Sequence, residues 1–369
     1  MKNCILITNV DSLLGYALSY RFLEEWNRER QHETTYAALR DKTEFRLLCR
    51  ERQGLEDLEL LGAKIIEVAD YTNKDKMKEF MDSVGYVMFL PENSSQTVKE
   101  GETVIECAKE QGVDYVTMLS YMGAEHAKDS GKHLHDYRHL EKCVSQHFNH
   151  NSYCVMRSAM WHQFYYYYGP MIEDKNRIQL PVHEKAKFGS IDLTDLVDAV
   201  YNLSAFPEQD SDDRHVANLA QLYTAHLRKK NKTLFEFTPR HNITPRDLVQ
   251  SAADGLERKN MTYEKVGPET LYDYLRRIHN DNRFRQRPIQ RATDIVEHQL
   301  RLKEDRPYTF PLGRYLNDCV IEGILEYWEM ADAGKEERST DDLEKAIGRH
   351  PTTVDQFFKN NRDQFDRLR

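Results

Sequence analysis

The first thirty residues combine a short apolar run with a helical repeat of apolar positions. The unbroken run at residues 5–7 predicts a strand that is buried on both faces. After a polar turn, apolar side chains recur three or four positions apart, at Leu14, Ala17, Leu18 and Phe22. This spacing predicts a helix over residues 12–26. A buried strand that turns directly into a helix is the first unit of a parallel α/β sheet, and the N-terminus of its helix favours an anion.

The same alternation continues to about residue 157. We predict strands at 45–50, 63–68, 86–90, 115–119 and 153–157, and helices at 55–61, 74–81, 98–111 and 134–148. Strands separated by single helices form a doubly wound parallel sheet, so the predicted fold class is α/β and Rossmann-like. Such sheets bind ligands at the carboxyl ends of their strands, which here are Asn9, Arg50, Asp70, Leu90, Ser120 and Arg157.

Beyond residue 160 the pattern is mixed. A helix is expected over 191–206, a strand over 233–237, and a helix that Thr244 caps with Pro245 at its first position. A capping box at 339–344 predicts another helix, which Gly348 ends, and a terminal helix starts near residue 353. We therefore predict a Rossmann-like domain at 1–160, continued by 186–240. A smaller mixed α+β region is formed by 161–185 and 241–369.

Composition narrows the class of protein. The chain has 369 residues and a formal net charge of −9, which argues against a general nucleic-acid binder. Neither a bilayer-spanning apolar run nor a signal-peptide segment is found in the sequence, so a cytoplasmic or nuclear location is expected. The six cysteines are scattered without a Cys-x-x-Cys pair, and several fall in apolar strand-like runs. This pattern indicates buried, reduced thiols.

The turn after the first strand is where a dinucleotide fold holds the pyrophosphate. On the three-glycine spacing of the extended short-chain dehydrogenases, this turn has Asn9, Ser12 and Gly15, so only the glycine that allows close helix–strand packing is kept. Asn tolerates a positive φ and Ser is small, so the shape of the loop remains accessible. Asp11 would either place a carboxylate near the phosphate or cap the helix.

Short segments in a fixed order, over most of the chain, resemble the NmrA-like family of atypical short-chain dehydrogenases. They are Leu6-Ile7-Thr8-Asn9, Leu13-Leu14-Gly15, Leu48-Cys49-Arg50, residues 62–67 before Asp70, and residues 119–124, 155–158, 178–181, 191–196 and 343–349. The resemblance implies a Rossmann protein that binds NAD(P) and acts as a regulator or redox sensor. In the family's founding fungal member the partner is a GATA-type transcription factor, so such a factor is the candidate partner here.

The strand ends, the turn and the resemblance together define a candidate cofactor site. Its residues are Asn9, Asp11, Ser12, Leu13, Leu14, Gly15, Arg50, Asp70, Leu90, Ser120 and Tyr137. Arg50 and Arg52 flank Glu51 at the end of the second strand, where an arginine accommodates a 2′-phosphate. NADP is therefore expected ahead of NAD. The alternative interpretation of the two arginines is a pair of solvated charges.

The catalytic pair of the short-chain dehydrogenases is missing. Those enzymes use Tyr-x-x-x-Lys, whereas Tyr137 is followed four residues later by Glu141, whose carboxylate would raise the pKa of the phenol. We expect no catalytic residues, and a regulator that acts through protein contacts. Two alternatives stay open: an NADPH-dependent reductase of quinones or small carbonyls, with Ser120 and Tyr137 or Tyr121 as proton donors, and a scaffold that has lost cofactor binding.

Three further patterns carry hypotheses of their own. His135 and His139 lie one helical turn apart and could share a metal, but solvated histidines are commoner and no metal is expected. The aromatic run at 161–168 favours core packing for most of its rings, and a pocket or partner contact for the rest. Arginines crowd between residues 272 and 306, at Arg276, Arg277, Arg283, Arg285, Arg287 and Arg291. They indicate a solvated face or a surface for an acidic partner, and direct nucleic-acid binding is not expected.

Overall fold

The chain forms two compact units. The computed structural model describes residues 2–30, 43–127, 132–204, 219–281 and 312–366. The first unit is Met1–Ser158, Thr194–Phe237 and Asp341–Arg349, and the second is Ala159–Leu193, Thr238–Thr340 and His350–Arg369. Residues 186–193, predicted in the first domain, thus lie in the second unit, because a short strand there pairs with residues 160–161. Residues 341–349, predicted in the second, lie in the first.

Short parallel strands make up the β-structure of both units. They are β1 Cys4–Ile7, β2 Glu44–Cys49, β3 Lys64–Glu67, β4 Val84–Phe89, β5 Tyr115–Tyr121, β6 Tyr153–Ser158, β7 Met160–Trp161, β8 Arg177–Leu180, β9 Ser190–Ile191, β10 Leu234–Phe237 and β11 Thr262–Lys265. Within the described residues the first unit holds a seven-stranded, wholly parallel sheet in the order β10-β6-β5-β4-β1-β2-β3. This order confirms the predicted doubly wound Rossmann-like sheet.

Helices connect these strands. They are α1 Leu13–Arg30, α2 Glu56–Leu60, α3 Lys74–Phe80, α4 Thr97–Glu110, α5 His133–His147, α6 Gly169–Lys175, α7 Leu193–Ser204, α8 Leu219–Lys230, α9 Pro245–Gly255, α10 Pro268–Asn280, α11 Asp318–Asp332, α12 Asp342–Ile347, α13 Val354–Asn360 and α14 Arg362–Asp366. The strand β1 lies inside the sheet between β2 and β4, and its apolar run is buried on both faces as predicted.

Side chains from the end of β1 fasten it to the end of β4. The Thr8 hydroxyl donates to the carbonyl oxygen of Leu90 (2.8 Å) and accepts from the Leu90 N–H (2.9 Å). Next along the chain, the Asn9 amide donates to the carbonyl oxygen of Pro91 (2.7 Å). Both side chains are buried, so these bonds replace water at the point where the sheet order reverses. The carboxyl edge of the sheet is therefore held rigidly there.

In the second unit the aromatic run forms a 3₁₀ helix at His162–Tyr168. Such a helix has three residues per turn, so consecutive rings point in different directions. All four tyrosines at 165–168 are nevertheless buried, because other aromatic residues surround them. Tyr165 stacks on Phe358, Tyr166 contacts Phe365, and the Tyr168 hydroxyl accepts from the Trp328 indole (3.2 Å). The packing interpretation is confirmed for these rings.

Helix ends in the C-terminal part follow the sequence signals with one exception. Thr244 and Asp247 form a capping box, and Pro245 opens α9 as predicted. Gly348, at φ 68°, ends α12 as predicted. The capping box predicted at 339–344 is wrong: α12 begins after Asp341 without a side-chain cap. Ser339 donates instead to the Pro239 carbonyl oxygen (3.0 Å), which takes its hydroxyl away from the helix.

The structure also bears on the cysteines, the helix lengths and the crowded arginines. All six cysteines are free thiols, and burial raises the pKa of Cys4 and of Cys49 to about 12. None of the described helices is long and apolar enough to cross a membrane. Of the crowded arginines, Arg276 pairs with Asp318 (3.5 Å), whereas Arg283, Arg285, Arg287 and Arg291 lie outside the described residues.

Thr8→Val should destabilise the protein by about 1–3 kcal/mol, because it leaves both polar backbone groups of Leu90 buried without their partner. Urea unfolding measures this cost. Thr8→Ser keeps the hydroxyl and serves as the matched control, with a smaller loss. A larger loss in Thr8→Ser than in Thr8→Val would show that the methyl group, rather than the hydroxyl, stabilises this edge of the sheet.

Candidate functional site

The turn between β1 and α1 keeps its shape although two glycines are replaced. Asn9 adopts the left-handed backbone conformation, with φ 52°, where the dinucleotide fingerprint has its first glycine. Its side-chain bond to Pro91 stabilises this conformation. At Gly15 a β-carbon would lie 2.8 Å from the Cα of Val10 and would overlap the Asn9 carbonyl oxygen. The retained glycine is therefore required by the close approach of α1 to the turn.

Ser12 caps α1. Its hydroxyl accepts from the Gly15 N–H (3.1 Å) and donates to the Asn9 carbonyl oxygen (2.7 Å), which is the geometry of an N-cap. For the N–H groups of Leu13 and Leu14, the described residues offer no hydrogen-bond acceptor. Two polarised donors therefore remain at the N-terminus of an 18-residue helix, as an anion site requires.

Asp11 is not the helix cap that the sequence allowed. Its carboxylate accepts from the backbone N–H groups of Arg50 (3.1 Å) and Glu51 (2.9 Å). These bonds connect the β1–α1 turn to the end of β2. A negative charge thus lies on the side of the turn where a Rossmann fold receives the adenosine ribose.

Arg50 is bound by two buried carboxylates. Its Nε donates to Glu92 (3.0 Å), an Nη donates to Glu100 (2.6 Å), and its guanidinium lies 5.1 Å from the Tyr71 ring centroid. Sequence reasoning missed both glutamates. Glu92 follows β4 at the carboxyl edge, so the rule that ligands bind at the carboxyl ends of strands, which selected Arg50, could have found it. Glu100 lies in α4, where no sequence pattern marks it as part of a site.

Asp70 and Leu90, the other residues predicted at this edge, have different environments. Asp70 is exposed, and its carboxylate accepts from the hydroxyl (2.7 Å) and the backbone N–H (2.8 Å) of Thr72, which lower its pKa. Leu90 is buried and carries the backbone bonds to Thr8. The structure therefore joins Asn9 and Leu90 to the β1–β4 contact and Asp11 to Arg50, whereas Asp70 forms its hydrogen bonds with Thr72.

A second charged group lies at the carboxyl ends of β5 and β6. The Ser120 hydroxyl donates to Glu141 (2.6 Å), and Glu141 forms a bidentate pair with Arg157 (2.9 and 2.6 Å). Arg157 also lies 3.0 Å from Glu125 and 3.5 Å from Glu236. One largely buried guanidinium thus faces three carboxylates. The carboxylate that stands in place of the catalytic lysine is neutralised from within the protein.

Tyr137 is buried in an aromatic cluster on α5. Its hydroxyl donates to the Asn93 side chain (3.2 Å), and its ring lies 4.9 Å from the rings of Tyr121 and His133. The pKa of Tyr137 is raised well above its usual range, chiefly by burial and then by Tyr121. The predicted cause was wrong, because Glu141 points to Ser120 and Arg157 instead. Burial also lowers the pKa of His133 to about 4, so it is neutral near pH 7.

The two histidines considered as metal ligands have carboxylate neighbours. His139 lies 2.7 Å from Glu102, and His135 lies 3.9 Å from Asp136. In the parts of the chain that the structure describes, histidines, cysteines and carboxylates do not form a group of three that could hold a metal ion.

Comparison with known proteins shows the fold of this chain in many solved structures. No protein-family model matches the sequence, and no curated protein matches it. Among solved structures, the triphenylmethane reductase of Citrobacter sp. with NADP(H) has a TM-score of 0.63 at 13% identity, over 97% of this chain and 99% of that chain. The NADPH-dependent quinone oxidoreductase of Escherichia coli with NADPH has a TM-score of 0.59 at 14% identity, over 99% of each chain.

A third similar structure is that of NmrA, a negative transcriptional regulator, in complex with NADP. Its TM-score is 0.56 at 11% identity, over 97% of this chain and 94% of that chain. These identities establish the fold alone. The chain has the fold of the NmrA-like, atypical short-chain dehydrogenases, as the sequence resemblance implied. The cofactor in all three structures is the one predicted for this chain.

Arg157→Met should destabilise the protein by about 3–5 kcal/mol near pH 7.5, because three carboxylates lose their shared cation. Buried carboxylates without a cation have a raised pKa in the folded state, so the native protein binds extra protons and the deficit shrinks as the pH falls to 5. Urea unfolding at both pH values measures this.

Arg177→Met is the matched control for this variant. Its ion pair with Glu264 is exposed and should contribute less than about 1 kcal/mol. If the two variants lost the same stability, or if the Arg157 deficit did not change with pH, the buried ion group would not have the role assigned to it.

Proposed function

We propose that this protein binds NAD(P), with NADP ahead of NAD, at the β1–α1 turn, and that it uses the bound dinucleotide to regulate a protein partner rather than to catalyse a reaction. The chemistry that the cofactor supplies when bound is hydride transfer. The chain's own residues hold the cofactor but do not provide the proton donor that a carbonyl reductase needs.

The observation that carries the binding half is the pair of N–H donors at Leu13 and Leu14. They stand at the N-terminus of a long helix, where the dipole favours negative charge. The side chains of Asn9, Asp11 and Ser12 are bonded within the protein, to Pro91, to the end of β2, and to the turn and Gly15. A pyrophosphate fits this arrangement, because the loop conformation and the donors of a nucleotide cradle are both present.

The bonds of Ser120 and Tyr137 support the non-catalytic half. A carbonyl reductase of this class needs a hydroxyl that can release its proton to substrate, helped by a nearby cation that lowers its pKa. Here burial raises the pKa of Tyr137, and its hydroxyl donates to Asn93. Ser120 donates to Glu141, which is paired with Arg157. Both candidate hydroxyls are therefore committed to internal partners.

A partner protein is the remaining part of the proposal. The resemblance to NmrA-like proteins makes a GATA-type transcription factor the first candidate, and a cytoplasmic or nuclear location follows from it. Direct binding of a recombinant GATA-type zinc finger, measured with and without NADP, tests this part separately from cofactor binding. Equal affinity in both conditions would contradict regulation by the dinucleotide.

Titration calorimetry with NADP and NAD tests the proposal as a whole. We expect binding of NADP, weaker binding of NAD, and no NADPH oxidation above background with quinones or small aldehydes. Turnover of such a substrate would support the reductase instead. Absence of binding for both dinucleotides, together with an unchanged melting temperature, would support a scaffold without cofactor.

Leu13→Pro should weaken NADP binding by about tenfold or more, because it removes one phosphate-binding N–H and thus a charge-assisted hydrogen bond. Proline is favoured at the first position of a helix, so α1 should still form. Leu13→Val is the matched control, since it loses comparable side-chain volume but keeps the N–H. Calorimetry compares the two, and equal affinities would place the phosphate elsewhere.

A further inference from the structure

The charged group at the end of β2 has more carboxylates than cations. Arg50 is the cation in direct contact with both Glu92 and Glu100. Asp11 adds a third carboxylate on the backbone side of Arg50. A site for the 2′-phosphate of NADP normally presents a positive charge that is available to the ligand. Here the corresponding arginine is already neutralised.

Glu92 and Glu100 are both buried, and they differ in how their second oxygen is partnered, because that of Glu100 accepts from the Ser94 hydroxyl (2.7 Å). Glu92 is 7% exposed, whereas the Arg50 side chain is 35% exposed. One Glu92 oxygen accepts from Arg50, and the other is buried beside the Tyr71 hydroxyl, which opposes the rise in the pKa of Glu92. Burial, and then the charge of Asp11, raise the pKa of Glu92 to about 7, against the opposing effect of Arg50. Glu92 therefore exchanges its proton close to neutral pH.

Titratable groups approach Glu92 from every neighbouring element. They are Asp11 in the β1–α1 turn, Cys49 and Arg50 at the end of β2, Tyr71 after β3, Glu100 through Arg50 from α4, and Tyr137 from α5. Burial raises the pKa of Cys49 to about 12 and those of Tyr71 and Tyr137 well above their usual range. These three groups stay neutral near pH 7, whereas the pKa of Glu92 lies close to that pH.

We propose, resting on the proposed function, that Glu92 makes the choice between NADP and NAD depend on pH. With Glu92 ionised, Arg50 is neutralised by two carboxylates, and the doubly charged 2′-phosphate meets a negative environment. With Glu92 protonated, one of the two negative charges next to Arg50 is lost, and the guanidinium can pair with the phosphate. NAD has a 2′-hydroxyl at this position and no charge there, so its affinity does not follow the same proton.

The geometry leaves Arg50 able to make this second contact. A guanidinium has five N–H donors, and the bonds to Glu92 and Glu100 use two of them. The other three donors can bind a phosphate on the exposed side of the guanidinium. Because one proton is taken up with the ligand, the selectivity for NADP can change by at most about tenfold per pH unit.

Calorimetry with NADP and NAD at pH 6.5 and pH 8.0 tests this inference on the full-length protein. We expect the ratio of NADP to NAD affinity to be about five- to tenfold higher at pH 6.5 in the wild type. In Glu92→Gln the ratio should be high at both pH values, because the amide mimics the protonated acid. The phosphate's own titration remains in that variant, so it also measures this background.

Glu100→Gln and Arg50→Gln are the matched controls. Glu100→Gln removes a carboxylate from the other side of Arg50, so it should raise the ratio of NADP to NAD affinity at both pH values. The ratio should still change with pH, because Glu92 can still titrate. Arg50→Gln should abolish the preference for NADP while NAD still binds. Melting temperatures establish that each variant is folded.

The outcomes separate the two proposals. If both dinucleotides bind but Glu92→Gln and wild type show the same change with pH, this inference is overturned and the proposed function stands. The same holds if NAD affinity follows pH as strongly as NADP affinity. If neither dinucleotide binds at either pH, the proposed function fails and the inference fails with it.

Discussion

The contact between Gly15 and the carbonyl oxygen of Asn9 is the constraint on which the candidate site depends. It lets α1 start so close to the end of β1 that no β-carbon fits between them. In that position Ser12 can cap the helix, and among the described residues the N–H groups of Leu13 and Leu14 have no hydrogen-bond acceptor. An anion site at a helix N-terminus requires both the donors and the space in front of them.

In this turn, hydrogen-bonded side chains stabilise the loop conformation that glycines allow in the usual dinucleotide fingerprint. Asn9 holds the left-handed turn because its amide reaches the Pro91 carbonyl oxygen on the neighbouring strand's loop. Asp11 connects the turn to the end of β2. This loop is therefore built by long-range hydrogen bonds, and its conformation depends on the strands around it more than on its own sequence.

Two arginines at the carboxyl edge, Arg50 and Arg157, are each surrounded by an excess of carboxylates. Buried ion pairs of this kind add little net stability, but they fix positions and are costly to break. At Arg157 the group neutralises Glu141, the residue at the position of the catalytic lysine. At Arg50 the group surrounds the part of the site that would distinguish two cofactors.

The sequence by itself determined the architecture of the first unit, because a strand buried on both faces leaves an unbroken apolar run and a helix buried on one face leaves a repeat of three or four residues. The apolar run of β1 and the cap at Thr244 were predicted in this way. Only the tertiary structure decided how charges and turns are partnered. Glu100 reaches Arg50 from a helix fifty positions away, and Ser339 gives its hydroxyl to Pro239 rather than to its own helix. The local sequence records which positions are buried and with what period they repeat. The hydrogen-bond partner of a polar group depends instead on which strand or helix the fold places next to it.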